Sequence, residues 1–255
     1  MDTKSDPILS IILPAYNEGK NIRSSIKRVS AVVDSLGIGY EIIIVDDGST
    51  DDTKYQANEE ASNRRVKVIS YDENLGKGFA LRRGFNGSSG DFIIFLDSDS
   101  DIDAKKIGMF VDALSTADIV IASKRHPQSR VESPFLRKFL SHSFYLIVRL
   151  LTWVNVSDTQ TGLKAFRRTA LQSVFRLTMV KRFALDVELL CVASILKLKI
   201  KEMPVTLNLD SKISLKDISR LFIDILGIAY RLRIIHWYQK NLDNSTPKYN
   251  PIIEH

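Results

Sequence analysis

The chain has 255 residues, 44% hydrophobic and 26% charged, with a formal net charge of +6, which excludes a disordered chain and allows one large α/β domain with an appendage. Its single cysteine, Cys191, lies in an apolar run and is read as a buried thiol, so a disulfide framework and a cysteine-based zinc site are excluded. Charge is uneven: residues 123–182 hold twelve Lys/Arg against two acids, which suits an anionic partner such as phosphate or membrane headgroups.

Residues 1–7 are polar and carry no signal-peptide pattern. Strands are expected at 8–13, 41–45, 66–70, 91–96 and 119–123, alternating with helices at 18–36, 51–61, 78–88 and 103–114. Ile22, Ile26, Val29 and Val33 mark the buried face of the first helix. Such alternation means βαβ units and a mainly parallel sheet. The run Ile42-Ile43-Ile44-Val45 suits a sheet covered on both faces. The second half is less regular, with helices expected at 134–154, 181–196 and 215–238 and a strand at 200–206. No run reaches 18 apolar residues, so no spanning helix is expected. The fold class is therefore α/β, a Rossmann-like, mainly parallel sheet flanked by helices and followed by C-terminal amphipathic helices. The expected organisation is a catalytic domain over 1–212, an amphipathic helical appendage over 213–240 and a flexible tail over 241–255.

Ligands of open parallel sheets bind at the carboxyl ends of strands. Here those ends read Pro14-Ala15-Tyr16-Asn17-Glu18, Asp46-Asp47-Gly48-Ser49 and Asp97-Ser98-Asp99, so the three are expected to converge on one edge. Asp97 and Asp99, two residues apart after an apolar strand, can face one hard cation, with Asp101 extending the acidic loop. Mg2+ or Mn2+ prefers such oxygen ligands and is usually shared with substrate phosphates. Pro14 is expected to end strand pairing, Asn17 to cap, and Tyr16 to cover a base. Asp46 and Asp47 can accept from a nucleobase N–H or a ribose hydroxyl. Asn74-Leu75-Gly76-Lys77-Gly78 lacks the full P-loop pattern, but a helix start beside Lys77 can face an anion. Separated basic points at Lys124-Arg125, Arg137-Lys138 and Lys181-Arg182 suit phosphate. Asp186 and Glu188 sit within an apolar helix, where an acid more often faces solvent.

Taken together, P-A-Y-N-E, V-D-D-G-S-T-D-D-T, N-L-G-K-G, G-D-F-I-I-F-L-D-S-D, D-T-Q-T-G-L-K-A-F and R-F-A-L-D-V-E-L-L resemble the family-2 glycosyltransferases of the GT-A fold. Within these the chain is similar to the polyprenyl-phosphate hexosyltransferases, the dolichyl-phosphate glucose and mannose synthases, from about residue 7 to residue 212. The resemblance implies that Pro14, Tyr16, Glu18, Asp46 and Asp47 line a nucleotide pocket. It implies that Asp97 and Asp99, with Ser98 and Asp101 alongside, hold Mg2+ or Mn2+ and the donor diphosphate. Arg125, Arg137 and Ser141 would hold an acceptor phosphate, and Lys212 would reach the donor phosphates. Mannosyl relatives often carry an arginine before that lysine, where this chain has Thr206-Leu207-Asn208.

The implied reaction is inverting transfer of a hexose from a nucleotide sugar, UDP-glucose ahead of GDP-mannose, to a polyprenyl or dolichyl phosphate. A phosphate acceptor is largely ionised at neutral pH and needs little help from a base, so Asp186 is expected to orient a sugar hydroxyl. The expected location is cytoplasmic, peripheral on a membrane surface. Residues 139–153 and 221–237 mix apolar side chains with arginines, which suits either an interfacial helix or packing within the protein or a homo-oligomer. Two alternatives are a soluble family-2 enzyme acting on a sugar or protein hydroxyl, with Asp186 or Asp158 as base, and a basic nucleic-acid-binding domain. The acidic strand ends and the lack of any nucleic-acid motif oppose the last, so no nucleic-acid partner is expected.

Overall fold

The computed structural model of the chain describes residues 7–61, 65–98, 104–208 and 215–242. The expected tail, along with Asp99, Asp101 and Lys212, lies outside these residues. Strands β1 (Leu9–Ala15), β2 (Tyr40–Asp47), β3 (Val66–Tyr71) and β4 (Phe92–Phe95) pair in parallel. Helices α1 (Ile22–Asp34), α2 (Thr53–Glu60) and α3 (Lys77–Asn86) connect them, as the alternating sequence predicts. A 3-10 turn and α4 (Ile107–Ala113) lead to β5 (Ile119–Ser123).

The second half adds strands that the sequence reading does not anticipate. These are β6 (Arg130–Glu132), β7 (Lys164–Arg167) and β9 (Thr206–Asn208). Strand β7 is antiparallel to both β4 and β5, and β8 (Ile200–Pro204) is parallel to β5. The main sheet therefore runs β3-β2-β1-β4-β7-β5-β8, and β6 and β9 form a separate parallel pair. The expected strand at 200–206 is thus two strands in two sheets, broken at Val205.

Helices cover both faces of the sheet. Alternate strand residues such as Ile11, Leu13, Ile42 and Ile44 pack with α1 and α4 on one side. Ile12, Ile43, Val45 and Ile93 pack on the other side with α3, α6 (Arg168–Leu177) and α7 (Leu185–Ile195). Each such side chain contributes roughly 1.5–3 kcal/mol by leaving water. Cys191 is 2% exposed, and burial pushes its thiol up to about 12, which fits an inert core residue.

Helix α5 (Phe135–Thr152) packs against α8 (Leu215–Arg233), and α9 (Trp237–Lys240) folds back beside α7. The single helix expected over 215–238 is thus two, separated at His236, which takes a left-handed φ of 49°. Two further local expectations differ. Pro14 does not end pairing: β1 continues through Pro14↔Val45 to Ala15↔Asp46, because a parallel strand alternates the sides to which its N–H groups point. Helix α1 starts at Ile22 rather than 18, after a turn in which the Asn21 and Ile22 N–H groups both donate to the Glu18 carbonyl.

Candidate active site

Strand registers bring the acidic ends together. Ala15 pairs with Asp46, and Ile12 pairs with Phe95, two residues before Asp97. A cavity of about 620 Å³ opens at this edge. Pro14, Tyr16, Glu18, Asp47, Asp97 and Ser98 line it, together with Gly76 and Lys77. The second half contributes Arg182 and Phe183 before α7, and Arg220, Leu221 and Asp224 on α8.

Asp97 meets its partner at 2.6 Å, the Nζ of Lys77. The same ammonium is 3.7 Å from Asp186 Oδ2, while Asp186 Oδ1 pairs at 2.8 Å with Lys164 Nζ. Lys164 is 2% exposed and also donates to the Thr161 carbonyl at 2.6 Å. Its location follows from the antiparallel sense of β7. The first residue of that strand pairs with Phe95, the last of β4, so Lys164 arrives where the parallel strands end. Burial works against a charged Asp97, but the lysines 77, 164 and 124 outweigh it and hold the carboxyl below the usual carboxylate range. Gly162 is required here: a Cβ at that position would run into the Asp97 carboxylate.

Asp47 lines the cavity, as expected, and also holds a neighbouring loop. Its Oδ1 accepts from Tyr71 Oη at 2.7 Å and from Leu75 N at 2.9 Å, and its Oδ2 accepts from Gly76 N at 2.9 Å. It therefore fixes the loop that delivers Lys77, although Oδ2 takes only one of these bonds and retains acceptor capacity. Burial pushes this carboxyl above the usual range, despite those hydrogen bonds, and neighbouring Asp46 adds to the rise. Asp46 is 2% exposed and accepts from Ser49 N at 3.1 Å. Asn17 does not cap α1; its side-chain oxygen accepts from Thr50 N at 2.9 Å, tying the β1 turn to the β2 turn.

Strand β5 runs in the same direction as β4, because β7 between them is antiparallel to both, so Lys124 and Arg125 emerge at the same edge. Arg125 donates to the Ser141 carbonyl at 2.8 Å and the Ser157 carbonyl at 3.1 Å, and lies over the Tyr145 ring. These contacts use two of its five N–H groups. Arg125 and Ser141 thus meet each other, and neither is in the lining of the cavity. Arg137 lies in the first turn of α5, with its side chain outside the described residues. Asp158 is 3% exposed and accepts from Lys124 N, Gln160 N and Thr161 Oγ1, with Lys124 Nζ 3.4 Å away.

Asp186 and Glu188 do not face solvent; they are 5% and 0% exposed. Glu188 turns away from the cavity, accepting from Met179 N, Val180 N and Tyr238 Oη and pairing with Arg231 at 3.2 Å. Four site residues escape a reading of the sequence: Lys164, Arg220, Phe183 and Asp224. Among the described residues no three acids, histidines or cysteines gather to hold a metal. The donor set still fits a hard cation, since Asp97 presents a carboxylate at the cavity, Gly162 leaves it room, and Asp99 follows two residues on.

Comparison with known proteins agrees with this architecture. Residues 10–175 match the profile of Glycosyl transferase family 2. The chain is 30% identical to a dolichyl-phosphate beta-glucosyltransferase of Trichomonas vaginalis, over 93% of this chain and 75% of that protein. It is 34% identical to the Drosophila melanogaster dolichyl-phosphate beta-glucosyltransferase and 31% to the human one, each over 77% of this chain and 66% of the relative. The chain therefore spans about two thirds to three quarters of these relatives' length. Among solved structures, glucosyl-3-phosphoglycerate synthase from Mycobacterium tuberculosis, in complex with Mn2+, UDP and glucosyl-3-phosphoglycerate, has the same fold. Its TM-score is 0.67 at 23% identity, over 88% of this chain and 79% of that one. A mainly parallel sheet with its acidic strand ends at one cavity, and a profile match across most of that sheet, make the chain a member of glycosyl transferase family 2, a glycosyltransferase of the GT-A fold.

Proposed function

We propose that the chain transfers glucose from UDP-glucose to a dolichyl or related polyprenyl phosphate, working from a membrane surface. The observation that carries this reading is the cavity that joins Tyr16, Asp47 and Asp97 with the cation Lys77. The relatives' names supply the sugar and the lipid, and the Mn2+–UDP complex of the structural neighbour makes a divalent cation the natural companion of Asp97. GDP-mannose is the second donor to test.

In this reading Tyr16 covers the base, and Pro14 and Glu18 shape the wall. Asp97, with Asp99 and Asp101, would hold a divalent cation, which when bound would supply Lewis-acid neutralisation of a diphosphate leaving group. Arg125, with Arg137 and the α5 backbone near Ser141, positions the acceptor phosphate. Asp186, held by Lys77 and Lys164, orients a sugar hydroxyl, and Lys212 approaches the donor phosphates. A single displacement on an α-linked donor inverts it, which accords with the beta linkage in the relatives' names. The acceptor phosphate is already anionic and supplies its own nucleophilic oxygen. A hydroxyl acceptor would need a base, yet Asp158 is buried and already accepts from Lys124 N, Gln160 N and Thr161 Oγ1.

Membrane contact is proposed for α5 and α8. Among the described residues no helix is long and apolar enough to cross a membrane. These two packed helices nevertheless expose Leu146, Leu150, Trp153, Ile223, Tyr230 and Ile234. Arg149 and Arg233 flank that face, with Arg233 3.8 Å over the Trp153 ring. Apolar side chains edged by arginine suit the anionic cytoplasmic leaflet.

The test is transfer of labelled glucose to dolichyl phosphate in vesicles with Mn2+ or Mg2+. We expect a glucosylated lipid that forms only with the cation, and a loss of at least about a hundredfold in Asp97→Asn, equivalent to roughly 3 kcal/mol of transition-state stabilisation. UDP-glucose should raise the melting temperature of the wild type in the presence of Mn2+. Transfer to a soluble hydroxyl acceptor with none to the lipid would overturn the assignment.

A further inference from the structure

We infer that Lys77 is the resident counter-ion of the divalent-cation site, holding Asp97 until a donor diphosphate draws it away, so that cation and nucleotide bind as a coupled pair. The inference rests on the metal-dependent donor reading, and adds an antagonist that the cation must displace.

The geometry around Lys77 is built from four directions. Gly76, immediately before it, has a φ of 98° and gives its N–H to Asp47. A Cβ at Gly76 or at Gly78 would collide with the Lys181 backbone, so the chain on both sides of Lys77 is pressed against the loop before α7. Phe79 N donates to the Lys181 carbonyl at 2.9 Å, locking the first turn of α3 to that loop. The base of the lysine stem is thereby fixed, while its ammonium spans 2.6 Å to Asp97 Oδ1 and 3.7 Å to Asp186 Oδ2.

A cation ligand needs its carboxylate oxygen exposed to the metal, and here one Asp97 oxygen carries a short charge-assisted bond. A divalent cation arriving alone must either displace the ammonium or share the carboxylate with it, which sets two positive centres against each other across one carboxylate. A diphosphate arriving with the cation offers the ammonium new oxygen partners within the same cavity. Lys77 can then turn on its flexible stem without losing its counter-charge. Lys164 is a poor substitute for this role: it is 2% exposed and its ammonium is spent on Asp186 and the Thr161 carbonyl.

The consequence is a linkage that binding alone can read. The experiment is titration of Mn2+, followed by the electron paramagnetic resonance signal of the free ion, into wild type, Lys77→Met and Lys77→Arg, each with and without saturating UDP. Thermal melts confirm that each variant is folded, and Lys77→Gln replaces the Met variant if it is not. In the wild type, UDP should tighten Mn2+ on the order of tenfold. In Lys77→Met, Mn2+ alone should bind several-fold tighter than to the wild type, and the tightening by UDP should shrink correspondingly. Lys77→Arg, which keeps the charge, should stay near the wild type. Equal or weaker Mn2+ binding by Lys77→Met in the absence of UDP overturns the counter-ion role while leaving the metal site intact. Absence of Mn2+ binding by the wild type, even with UDP, instead overturns the metal-dependent reading and the inference with it.

Discussion

Asp158 illustrates how a residue can read as chemistry and serve as architecture. Burial opposes its charge, but Lys124 and the hydrogen bonds from Thr161, Lys124 N and Gln160 N hold its carboxyl below the usual carboxylate range. A folded-state value below the unfolded one, near 3.9, stabilises the native state fully above about pH 4–5 and loses that contribution as pH falls through the folded value. Asp158→Asn should therefore cost about 1–3 kcal/mol at pH 7. The gap between mutant and wild type in urea melts should narrow below about pH 4. A gap that stays constant down to pH 3 would show that the ionised carboxylate is not the source of this stability. The residues legible in the sequence are those whose position at a strand end is itself the signal: Pro14, Tyr16, Asp47 and Asp97 all line the cavity. Lys77 stands out as a glycine-flanked lysine, but its partner does not, since Asp97 is twenty residues away and meets it only through the β1–β4 register. Lys164 is illegible for a physical reason. A lysine in Lys-Ala-Phe-Arg reads as solvated, and the carboxylate of Asp186 with the Thr161 carbonyl makes its burial tolerable.

Strand β7 shows the same limit in an element. Its four residues carry a cation at each end and no two-residue alternation long enough to count, so nothing local marks it as a strand. Its conformation is imposed by β4 and β5 on either side. The parallel strands β1 to β4 are legible because their apolar runs and connecting helices are self-announcing. Helix α7 is apolar almost all round, so its buried acids make sense only beside their partners. It has two polar anchors, two residues apart: Asp186 reaches into the lysine cluster, and Glu188 clamps α8 and α9 through Arg231 and Tyr238. Burial and the Glu188 charge push the Tyr238 phenol well above its usual range, so that it remains a donor. Glu188→Gln keeps the shape but removes the charge facing Arg231. We expect it to cost about 3 kcal/mol and to speed proteolytic cleavage within α8 more than elsewhere. An unchanged denaturation midpoint would show that the clamp is not a stability element.

For the whole molecule, α8 joins two surfaces that the sequence could only describe as amphipathic. Arg220, Leu221 and Asp224 face the cavity, whereas Ile223 and Tyr230 stand exposed, and at its C-terminal end Arg233 joins α8 to Leu150 and Trp153 at the end of α5. Trp153 is 74% exposed at a left-handed φ of 57°, closing α5 with its N–H on the Arg149 carbonyl, and Arg233 both covers its ring and donates to the Leu150 carbonyl. An exposed indole at a left-handed helix end, held by an arginine, is the feature on which the proposed membrane contact rests. The double substitution Trp153→Ala with Ile223→Ser removes two apolar groups from opposite helices of that face without touching the cavity lining. Each partly inserted side chain contributes on the order of 1 kcal/mol, so co-sedimentation with phosphatidylserine vesicles should weaken roughly tenfold or more, while UDP affinity in solution is retained. Raising salt should weaken the wild type further, because Arg149 and Arg233 act through screened attraction to the headgroups. A second copy of the chain is the competing occupant, and light scattering separates the two. A wild-type dimer that the double variant converts to monomer, with vesicle binding unchanged, would assign this face to self-association and remove the support for lipid contact through α5 and α8.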